Sequence, residues 1–517
     1  MFKRVLVSVS DKTGLAVFLK PLAENGAEIV STGGTAKFLI SHGIKVTEVS
    51  EVTGFPEMMD GRVRTLHPKI HMALLARSFV PDDMKILKDY GVEPFDLVVV
   101  NLYPFEEAYK KGLRGKDLIE QIDIGGPSML RAAAKSFERV TVVCDPDDYK
   151  KVLETESTYS LRQELACKVF EHCAFYDSLV ADALNEKPWE LSKTKTVGLR
   201  KKSLLRYGEN PHQISAWYET PLKSALSLSD ALIIQGKELS FNNLVDLEAA
   251  LGALNDFSNP TCVIVKHATP CGVAEDSDIT AAYTRSFLAD PISAFGGIVA
   301  LNRSITRELA SELVKTFLEC VVAPSIDEDA LEILKAKKNL RVLTLESINV
   351  KGLSKRSPRE SLGVEFKSLR GGALFQEMDG PIEWKESFKI IPPRNGIAEL
   401  DANLKENLLF AQRIVRHVKS NAIVVTENLQ TLGICGGQTN RVDSVRWALA
   451  RAKGKGSQWI LGSDAFFPFR DSIDLAAEAG VKWIVQPGGS VRDTEVELAA
   501  KEHGIGMVIT GIRHFKH

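Results

Sequence analysis

The sequence RVLVSVSDKTGLAVFLKPLAENGAEIVSTGGTAKFLI, residues 4–40, alternates twice between a strand pattern and a helix pattern. An apolar run at Val5–Val9 is followed by a helical pattern over Thr13–Asn25. A second short strand at Ala27–Val30 is followed by Gly33-Gly34 at the start of another helix. Strands that alternate with helices in this way usually pair in parallel. The stretch therefore predicts a βαβα unit, the beginning of a doubly wound α/β domain.

Two more apolar runs extend this sheet. DLVVVNL at Asp96–Leu102 and RVTVVC at Arg139–Cys144 are continuous enough to be buried parallel strands, and a proline-containing turn follows each. We expect the domain to end near Asn185. The next segment, Lys187–Lys202, carries six basic residues and one glutamate. This polar segment predicts a main boundary between residues 1–197 and 198–517.

Composition limits the classes of function. The 517 residues correspond to about three structural units at roughly 150 residues each. With 65 Lys and Arg against 67 Asp and Glu, the net charge of -2 gives no field that attracts nucleic acid or an anionic membrane. No apolar run approaches the roughly 20 residues of a membrane span, and no signal-like stretch opens the chain, so we expect a cytoplasmic protein. Seven cysteines without a CxxC pair indicate reduced thiols.

The second part of the chain carries signs of an internal duplication. Apolar strands at Thr261–Val265 and Ala422–Val425 each precede a glycine-containing turn and an alanine-rich helix. The related clusters SAFGG at Ser293 and DAFFPF at Asp464 come later in each half. This pattern predicts two similar subdomains. A charged segment at about residues 335–395, broken by Gly and Pro, is interpreted as their connection.

Two loops of the first domain have the composition of a phosphate site. STGGT at Ser31–Thr35 lies between a strand and a helix, where backbone N–H groups at the helix N-terminus attract an anion. Lys12, in the Ser10-Asp11-Lys12 loop after the first strand, is expected at the same crevice. A tight turn capped by Thr32 and a solvated Lys12 are the alternatives.

Two further motifs of this domain add candidates for anion binding and proton transfer. GRVRTLHPKIH at Gly61–His71 brings five basic residues together, which suits either an anionic ligand or a solvated loop. In QIDIGGPSMLRAAAK at Gln121–Lys135, a glycine-glycine-proline turn leads into an alanine-rich helix that ends at Lys135. Close packing around this lysine favours a role as general acid or base, and a snorkelling surface lysine is the alternative.

KHATPCG at Lys266–Gly272 sets a lysine and a histidine at the end of an apolar strand. A neutral His267 can accept a proton from an amine, and Lys266 can protonate a leaving nitrogen. A hydrogen-bonded structural histidine is the alternative. Pro270-Cys271 resembles part of a zinc-deaminase motif, but Ala274 stands in the second cysteine's place and no HxE precedes it, so no metal is expected.

Motifs along essentially the whole chain resemble the family of bifunctional 5-aminoimidazole-4-carboxamide ribonucleotide (AICAR) formyltransferase/IMP cyclohydrolase enzymes. The cyclohydrolase part is marked by SVSDKTG, STGGTAKFL, TLHPKIH, NLYPF and QIDIGGPSMLRAAAK. The formyltransferase part is marked by RYGENPHQ, GKELSFNN, KHATPCG, DPISAFGG, QPGGSVRD and a final TGIRHFKH, which we expect to be docked. The resemblance implies an α/β protein with a methylglyoxal-synthase-like domain over residues 1–197 and two cytidine-deaminase-like subdomains over residues 198–517.

The same resemblance implies the last two steps of IMP synthesis. In the first, 10-formyltetrahydrofolate acts as co-substrate and donates its formyl group to the amine of AICAR. In the second, formyl-AICAR closes its ring with loss of water. The family further implies a homodimer with formyl-transfer sites at the subunit interface and no required metal. From the net charge and the short apolar runs, we expect no nucleic-acid or membrane partner.

Carried over residue by residue, the resemblance assigns proton transfer in the formyl-transfer reaction to His267 and Lys266, with Asn243 orienting the formyl oxygen. It assigns acid–base chemistry of the ring closure to Lys135, Asp123 and Tyr103. The implied nucleotide-binding positions of the first domain are Ser10, Asp11, Lys12, Thr32, Gly33, Gly34, Thr35, Arg62, Val63, Arg64, Thr65, Asn101, Asp123 and Ile124. Those of the second part are Arg206, Tyr207, Gly296, Glu319, Asn421 and Arg441, and the folate-binding positions are Asp471, Ser490, Val491, Arg513, Phe515 and His517.

Three places depart from the family pattern. Arg64 stands where the family commonly has lysine, Thr269 replaces a frequent asparagine, and Cys435-Gly436 with Asn440 alter the usual IGAGQxSR segment. Arginine keeps the charge but cannot shuttle a proton, so we expect Arg64 to act only electrostatically. A non-catalytic phosphate-ligand regulatory module is the alternative for the first domain, and a zinc deaminase is the alternative for the second part.

Overall fold

The computed structural model describes residues 2–56, 58–59, 62–185, 193–221, 226–349, 364–394 and 400–517. The chain forms two compact units. The first unit comprises residues 1–200 with 220–222, and the second comprises residues 201–219 with 223–517. Some predicted features lie outside the described residues, namely part of the expected boundary segment (187–192), Gly61 of the basic motif, and residues 350–363 and 395 of the expected connection.

The first unit contains a parallel sheet with the strand order β3-β2-β1-β4-β5. Its strands are β1 (Arg4–Ser8), β2 (Glu28–Ser31), β3 (Thr47–Glu48), β4 (Leu97–Val100) and β5 (Thr141–Val143). Every residue of β4 and β5 is buried, as expected for strands covered by helices on both faces. The predicted βαβα start and the two later strands are confirmed.

Helices connect and cover these strands. They are α1 (Leu15–Glu24), α2 (Gly33–Ser41), α3 (Val49–Thr53), α4 (Pro68–Leu75), α5 (Pro81–Asp89), α6 (Phe105–Lys110), α7 (Gly115–Ile119), α8 (Gly125–Lys135), α9 (Tyr149–Glu154) and α10 (Tyr159–Leu184). The alanine-rich face of α8 is buried in the same apolar core as Val169 and Cys173 of α10. This packing holds the N-terminus of α8 at the edge where the parallel strands end.

The second unit contains a mixed sheet with the strand order β16-β21-β20-β19-β17-β18-β10-β9-β11-β12-β13-β8. Its first half consists of β8 (Leu232–Gln235), α11 (Phe241–Leu254), β9 (Thr261–Lys266), β10 (Thr269–Glu275), α12 (Ile279–Ala289), α13 (Pro291–Ala294), β11 (Ile298–Leu301), α14 (Arg307–Leu313), β12 (Cys320–Ala323), α15 (Glu328–Leu334) and β13 (Arg341–Thr344). Two hairpins lie outside this sheet, β6 (Arg200–Leu205) with β7 (Ser215–Glu219), and β14 (Val364–Leu369) with β15 (Gly372–Glu377).

The second half repeats this arrangement. It consists of β16 (Lys389–Ile391), α16 (Ala402–Val415), β17 (Ile423–Glu427), β18 (Gln430–Cys435), α17 (Arg441–Ala452), β19 (Ile460–Ser463), α18 (Asp471–Ala479), β20 (Trp483–Gln486), α19 (Asp493–His503) and β21 (Gly506–Ile509). The halves meet where β10 pairs antiparallel with β18, so that equivalent strands run in opposite directions across the sheet. The predicted duplication is confirmed. The expected connection, about residues 335–395, includes two strands of this sheet, β13 and β16.

The sequence prediction for the segments that follow β9 and β17 is wrong in one respect. β9 and β17 do not run through a glycine-containing turn into a helix, because each first forms a hairpin with an antiparallel strand. The glycines lie inside the second strands, where a Cβ on Gly272 would come within 2.0 Å of the Ser286 carbonyl oxygen and a Cβ on Gly433 within 2.0 Å of the Ala448 carbonyl oxygen. Glycine is therefore needed there for close packing of strand against helix.

Candidate active sites

The loops after β1 and β4 are joined by one asparagine in the first unit. Oδ1 of Asn101 accepts hydrogen bonds from the amides of Ser10 at 2.7 Å and Asp11 at 3.0 Å, and its Nδ2 donates to the Asp11 carbonyl at 2.8 Å. Asp11 also accepts a bond from the Thr13 amide, and hydrogen bonding from Thr13 lowers the pKa of this carboxyl. Lys12 Nζ donates to the Ser10 carbonyl at 3.3 Å. Three of the predicted binding residues and Asn101 thus form one structure at the carboxyl edge of the sheet.

The STGGT loop forms the N-terminus of α2 at the same edge. Thr35 is buried, and its hydroxyl bonds both the amide and the carbonyl of Val9 at 3.2 and 3.0 Å. Thr32 occupies the N-cap position but its side chain makes no capping bond. The first amides of a helix have no partner within the helix and attract anions. These bonds hold the loop against Val9, directly after β1, and the N-terminus of α2 is a possible anion-binding position.

Arg64 adds a cation to this helix N-terminus. Gly33 has φ of +44°, and a Cβ there would lie 2.2 Å from Nη1 of Arg64, so the guanidinium packs directly on the glycine. Thr65 is buried beside α8, with its Oγ1 2.9 Å from the position of a Gly125 Cβ. Residues 62–65 consequently link the N-termini of α2 and α8. Arg62 is exposed and pairs with Glu120 at 2.5 Å.

Asp123 stands directly before α8. Its Oδ1 accepts a hydrogen bond from the Gly126 amide at 2.8 Å, and the amides of Tyr103 and Gly125 contribute further bonds to the carboxyl. Burial nevertheless raises the pKa of Asp123, because it penalises the charged form more than these bonds stabilise it. Tyr103 and Ile124 are exposed at 52% and 60%. A carboxyl with a raised pKa at the edge of a site can take part in proton transfer.

Lys135 lies at the other end of α8 and is exposed. The helix rises about 1.5 Å per residue, so its last Cα is roughly 15 Å from that of Gly125. The structure therefore brings Asp123, Tyr103, Asn101 and the phosphate-type loops to the carboxyl edge and places the backbone of Lys135 at the opposite edge.

In the second unit, Lys266 and His267 lie at the hairpin that joins β9 to β10. Lys266 pairs with Thr269 across the hairpin, which leaves His267 and Ala268 as a two-residue loop. Both loop residues have positive φ, 55° and 56°, which is typical of type I′ turns but costs non-glycine residues roughly 1–2 kcal/mol each. The Asp246 carboxylate accepts both loop amides, His267 N at 3.3 Å and Ala268 N at 2.6 Å. His267 is exposed at the tip of this hairpin.

The side chain of Lys266 points to the segment before β11. Its Nζ donates to the Phe295 carbonyl at 2.7 Å, next to Gly296. Gly296 has φ of +72° and donates its amide to the Phe317 carbonyl at 2.8 Å. Glu319 follows two residues later and pairs with Arg341 at 2.9 Å. Lys266, Gly296 and Glu319 therefore form one connected surface.

Asn243 and the RYGENPHQ motif lie at the start of α11. Asn243 is buried and forms a reciprocal capping box with Ser240, in which its Oδ1 accepts the Ser240 amide at 3.1 Å. The Nδ2 group of Asn243, the donor of this side chain, takes no part in the capping box. Arg206 stacks over the Tyr207 ring at 4.7 Å, and Nδ2 of Asn242 holds this loop through the Glu209 carbonyl at 3.3 Å.

A buried polar network surrounds Asn421 and Arg441 in the second half. Arg441 is 6% exposed, and its Nη1 donates to Asp464 Oδ1 at 2.5 Å and to Ser463 Oγ at 2.9 Å. Its Nη2 donates to Asn421 Oδ1 at 2.7 Å, while Asn421 Nδ2 donates to the Gln438 carbonyl at 2.9 Å. Arg441 thus helps to fix the orientation of Asn421. Most of the N–H donors of Arg441 are already bonded within the protein.

The C-terminal segment is docked, as expected from its sequence. His514 is buried, its amide donates to the Asp464 carbonyl at 3.0 Å, and its Nδ1 bonds the Asp379 carboxylate at 2.5 Å. This bond lowers the pKa of Asp379 against the effect of burial. Arg513 stacks over Phe515 at 4.4 Å, and the Phe515 and His517 rings meet edge to face at 5.4 Å.

Strand directions bring the Lys266-His267 hairpin and the Asn421-Arg441 network to the same edge of the sheet in the second unit. This edge is called here the His267 edge. β9, β18, β19, β20 and β21 end there, and β11, β12, β13 and β17 begin there. Every predicted site residue that flanks this sheet follows or precedes one of those strand ends: Lys266, His267, Gly296, Glu319, Asn421, Arg441, Asp471, Ser490, Val491, Arg513, Phe515 and His517.

Sequence reasoning missed two carboxylates of this edge. Asp246 holds the His267 loop, and Asp464 holds Arg441. Asp246 lies one helical turn after Asn243 in the LSFNNLVD motif, and that spacing is the signal that could have found it. The departures from the family pattern have local roles: Asn440 caps α17 by accepting the Asp443 amide at 2.9 Å, and Cys435 is buried in the core. Thr269 bonds the His267 carbonyl at 3.3 Å.

Two features of the described residues concern metal binding and membrane spanning. None of their His, Cys, Asp and Glu side chains form a group of three or more suited to a metal ion. Within the same part of the chain, no helix has the length and apolar character needed to cross a membrane.

Comparison with known proteins gives consistent matches along the chain. Residues 14–128 match the MGS-like domain, and residues 133–451 match the AICARFT/IMPCHase bienzyme family. Three relatives are each titled bifunctional purine biosynthesis protein PurH. The protein of Persephonella marina is 47% identical over 100% of both chains, and that of Magnetococcus marinus is 48% identical over 100% of this chain and 99% of its own. The protein of Aquifex aeolicus is 46% identical over 99% of this chain and 100% of its own.

A match over more than half of the chain, together with full-length relatives at nearly 50% identity, establishes the family. This chain therefore belongs to the AICARFT/IMPCHase bienzymes, the bifunctional purine-biosynthesis enzymes that carry out the last two steps of IMP synthesis.

Proposed function

We propose that the two reactions are divided between two parts of the chain. Residues 1–197 close the ring of formyl-AICAR, and residues 198–517, two subdomains with a connection at about 335–395, transfer the formyl group from 10-formyltetrahydrofolate to AICAR. The observation that carries this proposal is the grouping of candidate residues within each unit. The phosphate-type loops gather with Asp123 in the first, and the Lys266-His267 hairpin lies at the same sheet edge as Asn421 and Arg441 in the second.

In formyl transfer, the AICAR amine is a weak nucleophile because its lone pair is delocalised into the ring and the carboxamide. Positioning and proton removal must therefore supply much of the rate. We assign proton removal to His267, which is exposed at the hairpin tip. Lys266, with one of its three donors on the Phe295 carbonyl, would protonate the leaving folate nitrogen. Asn243 Nδ2 would donate to the formyl oxygen as negative charge develops on it.

Nucleotide and folate contacts of this reaction are assigned along the His267 edge. Arg206, Tyr207, Gly296, Glu319, Asn421 and Arg441 would hold the nucleotide, with Arg441 acting mainly through Asn421. Asp471, Ser490, Val491, Arg513, Phe515 and His517 would line the folate site.

Ring closure is intramolecular, so its site mainly has to hold the formyl carbon near the carboxamide nitrogen and stabilise an oxyanion. The N-terminus of α2 and the Arg64 guanidinium would bind the phosphate of the nucleotide. Asp123 is the best-supported group for moving the proton, because burial raises the pKa of its carboxyl and Tyr103 stands beside it. Lys135 stays a prediction from the resemblance, and its position at the far end of α8 does not support it.

We further propose a homodimer located in the cytoplasm. The β14–β15 hairpin exposes Phe366 at 50% and Leu374 at 57%, an unusual surface for an isolated subunit. Val491 is fully exposed and Phe515 is 43% exposed, which supports a folate site completed by a second subunit. All seven cysteines are free thiols, as is usual in a reducing compartment.

Three variants of the full-length protein test the assignment of residues. Formyl transfer to AICAR and ring closure of supplied formyl-AICAR are measured separately for His267→Ala, Asp123→Ala and Lys135→Ala. We expect the first to lose formyl transfer and keep ring closure, and the second to do the opposite. Equal loss of both activities in His267→Ala or in Asp123→Ala would contradict two separate sites. The Lys135→Ala variant tests the role that the resemblance implies for this lysine: loss of ring closure would support it, and full ring closure would contradict it.

A further inference from the structure

The His267 loop has an internal counterpart in the second half of the sheet. There, Glu427 pairs with Gln430 across a hairpin, which leaves Asn428 and Leu429 as a two-residue loop. Both residues again have positive φ, 48° and 56°. Strand directions place this counterpart at the sheet edge opposite the His267 edge. The duplication therefore supplies two loops of the same backbone shape, of which only one carries the Lys-His pair.

Each loop is held by a side chain from the sixth residue of the preceding helix, Asp246 of α11 and Asn407 of α16. The two side chains differ in how many loop amides they bind. The Asp246 carboxylate accepts both loop amides, that of His267 at 3.3 Å and that of Ala268 at 2.6 Å. Asn407 Oδ1 accepts the Leu429 amide at 2.9 Å, and its Nδ2 bonds the carbonyl and side chain of Asn403 within its own helix.

The extra bond of the first half goes to the amide of His267 itself. The direction of the Cα–Cβ bond is fixed once the backbone on both sides of it is fixed, so the two bonds from Asp246 set where the imidazole begins. A carboxylate is also a stronger acceptor than an amide oxygen. A neighbouring bond from the Thr269 hydroxyl to the His267 carbonyl, at 3.3 Å, restrains the other side of the same residue.

We propose that Asp246 is a positioning residue for formyl transfer. It holds the His267 loop in its left-handed conformation, so that the imidazole faces the reacting amine. The inference rests on the proposed role of His267 as the base. Asn407 fills the equivalent position where no base is needed, and it provides the control for a purely structural role.

The test uses full-length Asp246→Ala, Asp246→Asn and Asn407→Ala, with formyl-transfer kcat, KM for AICAR, ring-closure rate and melting temperature measured for each. A displacement of about 1 Å can cost about 100-fold in rate, so we expect kcat of Asp246→Ala to fall about 10- to 100-fold with KM little changed. Asp246→Asn keeps one acceptor and is expected to fall only a few-fold. Asn407→Ala is expected to lose comparable thermal stability while its kcat stays within about 2-fold of the wild type, and ring closure continues in all three.

Several outcomes would overturn the inference. One is a kcat for Asp246→Ala that matches that of Asn407→Ala. If Asp246→Ala fails to fold, seen as loss of ring closure as well, Asp246→Asn decides: reduced kcat with wild-type ring closure supports positioning, and unchanged kcat overturns it. A parallel His267→Ala variant distinguishes failure of the proposed base from failure of the positioning role of Asp246. Retained formyl transfer in that variant would refute the proposed base, whereas its loss together with full activity of Asp246→Ala would refute positioning alone.

Discussion

Replacing Arg441 by methionine removes the centre of the buried network in the second half. The arginine is 6% exposed and Asp464 is 1% exposed, and the guanidinium bonds Asp464, Ser463 and Asn421. Methionine fills much of the same space but has no donor. The substitution therefore leaves a buried carboxylate without its cation and removes one of the two hydrogen bonds that orient the Asn421 side chain.

The size of the effect follows from that unpaired charge. Removing one partner of a buried ion pair costs about 3–5 kcal/mol. Asp464 keeps two other donors, the Ser420 hydroxyl and the Ala422 amide, so we expect the lower end, about 3 kcal/mol. For a cooperative unit of more than 300 residues, that loss lowers the melting temperature by roughly 4–5 °C. Formyl transfer should also fall, because Asn421 is then oriented through the Gln438 carbonyl alone, while ring closure should be retained.

Tryptophan fluorescence and calorimetry can follow this change, since five of the six tryptophans belong to the second unit. Arg446→Met is the matched control on the same helix. Arg446 pairs with Asp443 at 2.6 Å but is 58% exposed, and such surface pairs contribute less than about 1 kcal/mol. A melting temperature for Arg441→Met no lower than that of the control would refute the reasoning.

Two further predictions concern packing and ionisation. Gly272→Ala and Gly433→Ala each put a methyl group 2.0 Å from a helix carbonyl oxygen, so we expect each to cost about 1–3 kcal/mol by calorimetry, and a neutral variant would contradict the close approach. Burial raises the pKa of Asp123, so the stability that its protonated form contributes is lost as the pH rises through that raised value. The melting temperature of Asp123→Asn relative to the wild type should therefore increase as the pH rises above about 4, the ordinary pKa of an aspartate, and a decrease would contradict the raised pKa.

The sheet of the first unit could be predicted because its strands are continuous apolar runs. Leu97–Val100 is buried throughout, and such a run between turn residues has few other interpretations. The end of α8 at Lys135 was also predicted, but the edge of the sheet at which that end lies depends on the length and direction of the helix. For that reason the sequence motif alone could not tell at which edge of the sheet the backbone of Lys135 lies.

The hairpins of the second unit could not be predicted in the same way. Type I′ loops usually contain glycine or asparagine, whereas this loop consists of His267 and Ala268. The sequence prediction therefore placed the turn at the nearby Gly272, which lies inside the second strand. The loop is stabilised by Asp246, a partner 21 residues earlier in the chain. Likewise, Asp464 accepts a hydrogen bond from Arg441, 23 residues earlier in the chain, and a local sequence pattern cannot predict such a contact.

We propose that one chain carries two separate active sites, one in each part. Residues 1–197 and residues 198–517 can be expressed separately, checked for folding by circular dichroism, and assayed for both reactions. We predict that residues 1–197 convert formyl-AICAR to IMP and do not formylate AICAR. A folded 1–197 fragment that leaves formyl-AICAR unconverted would contradict this account.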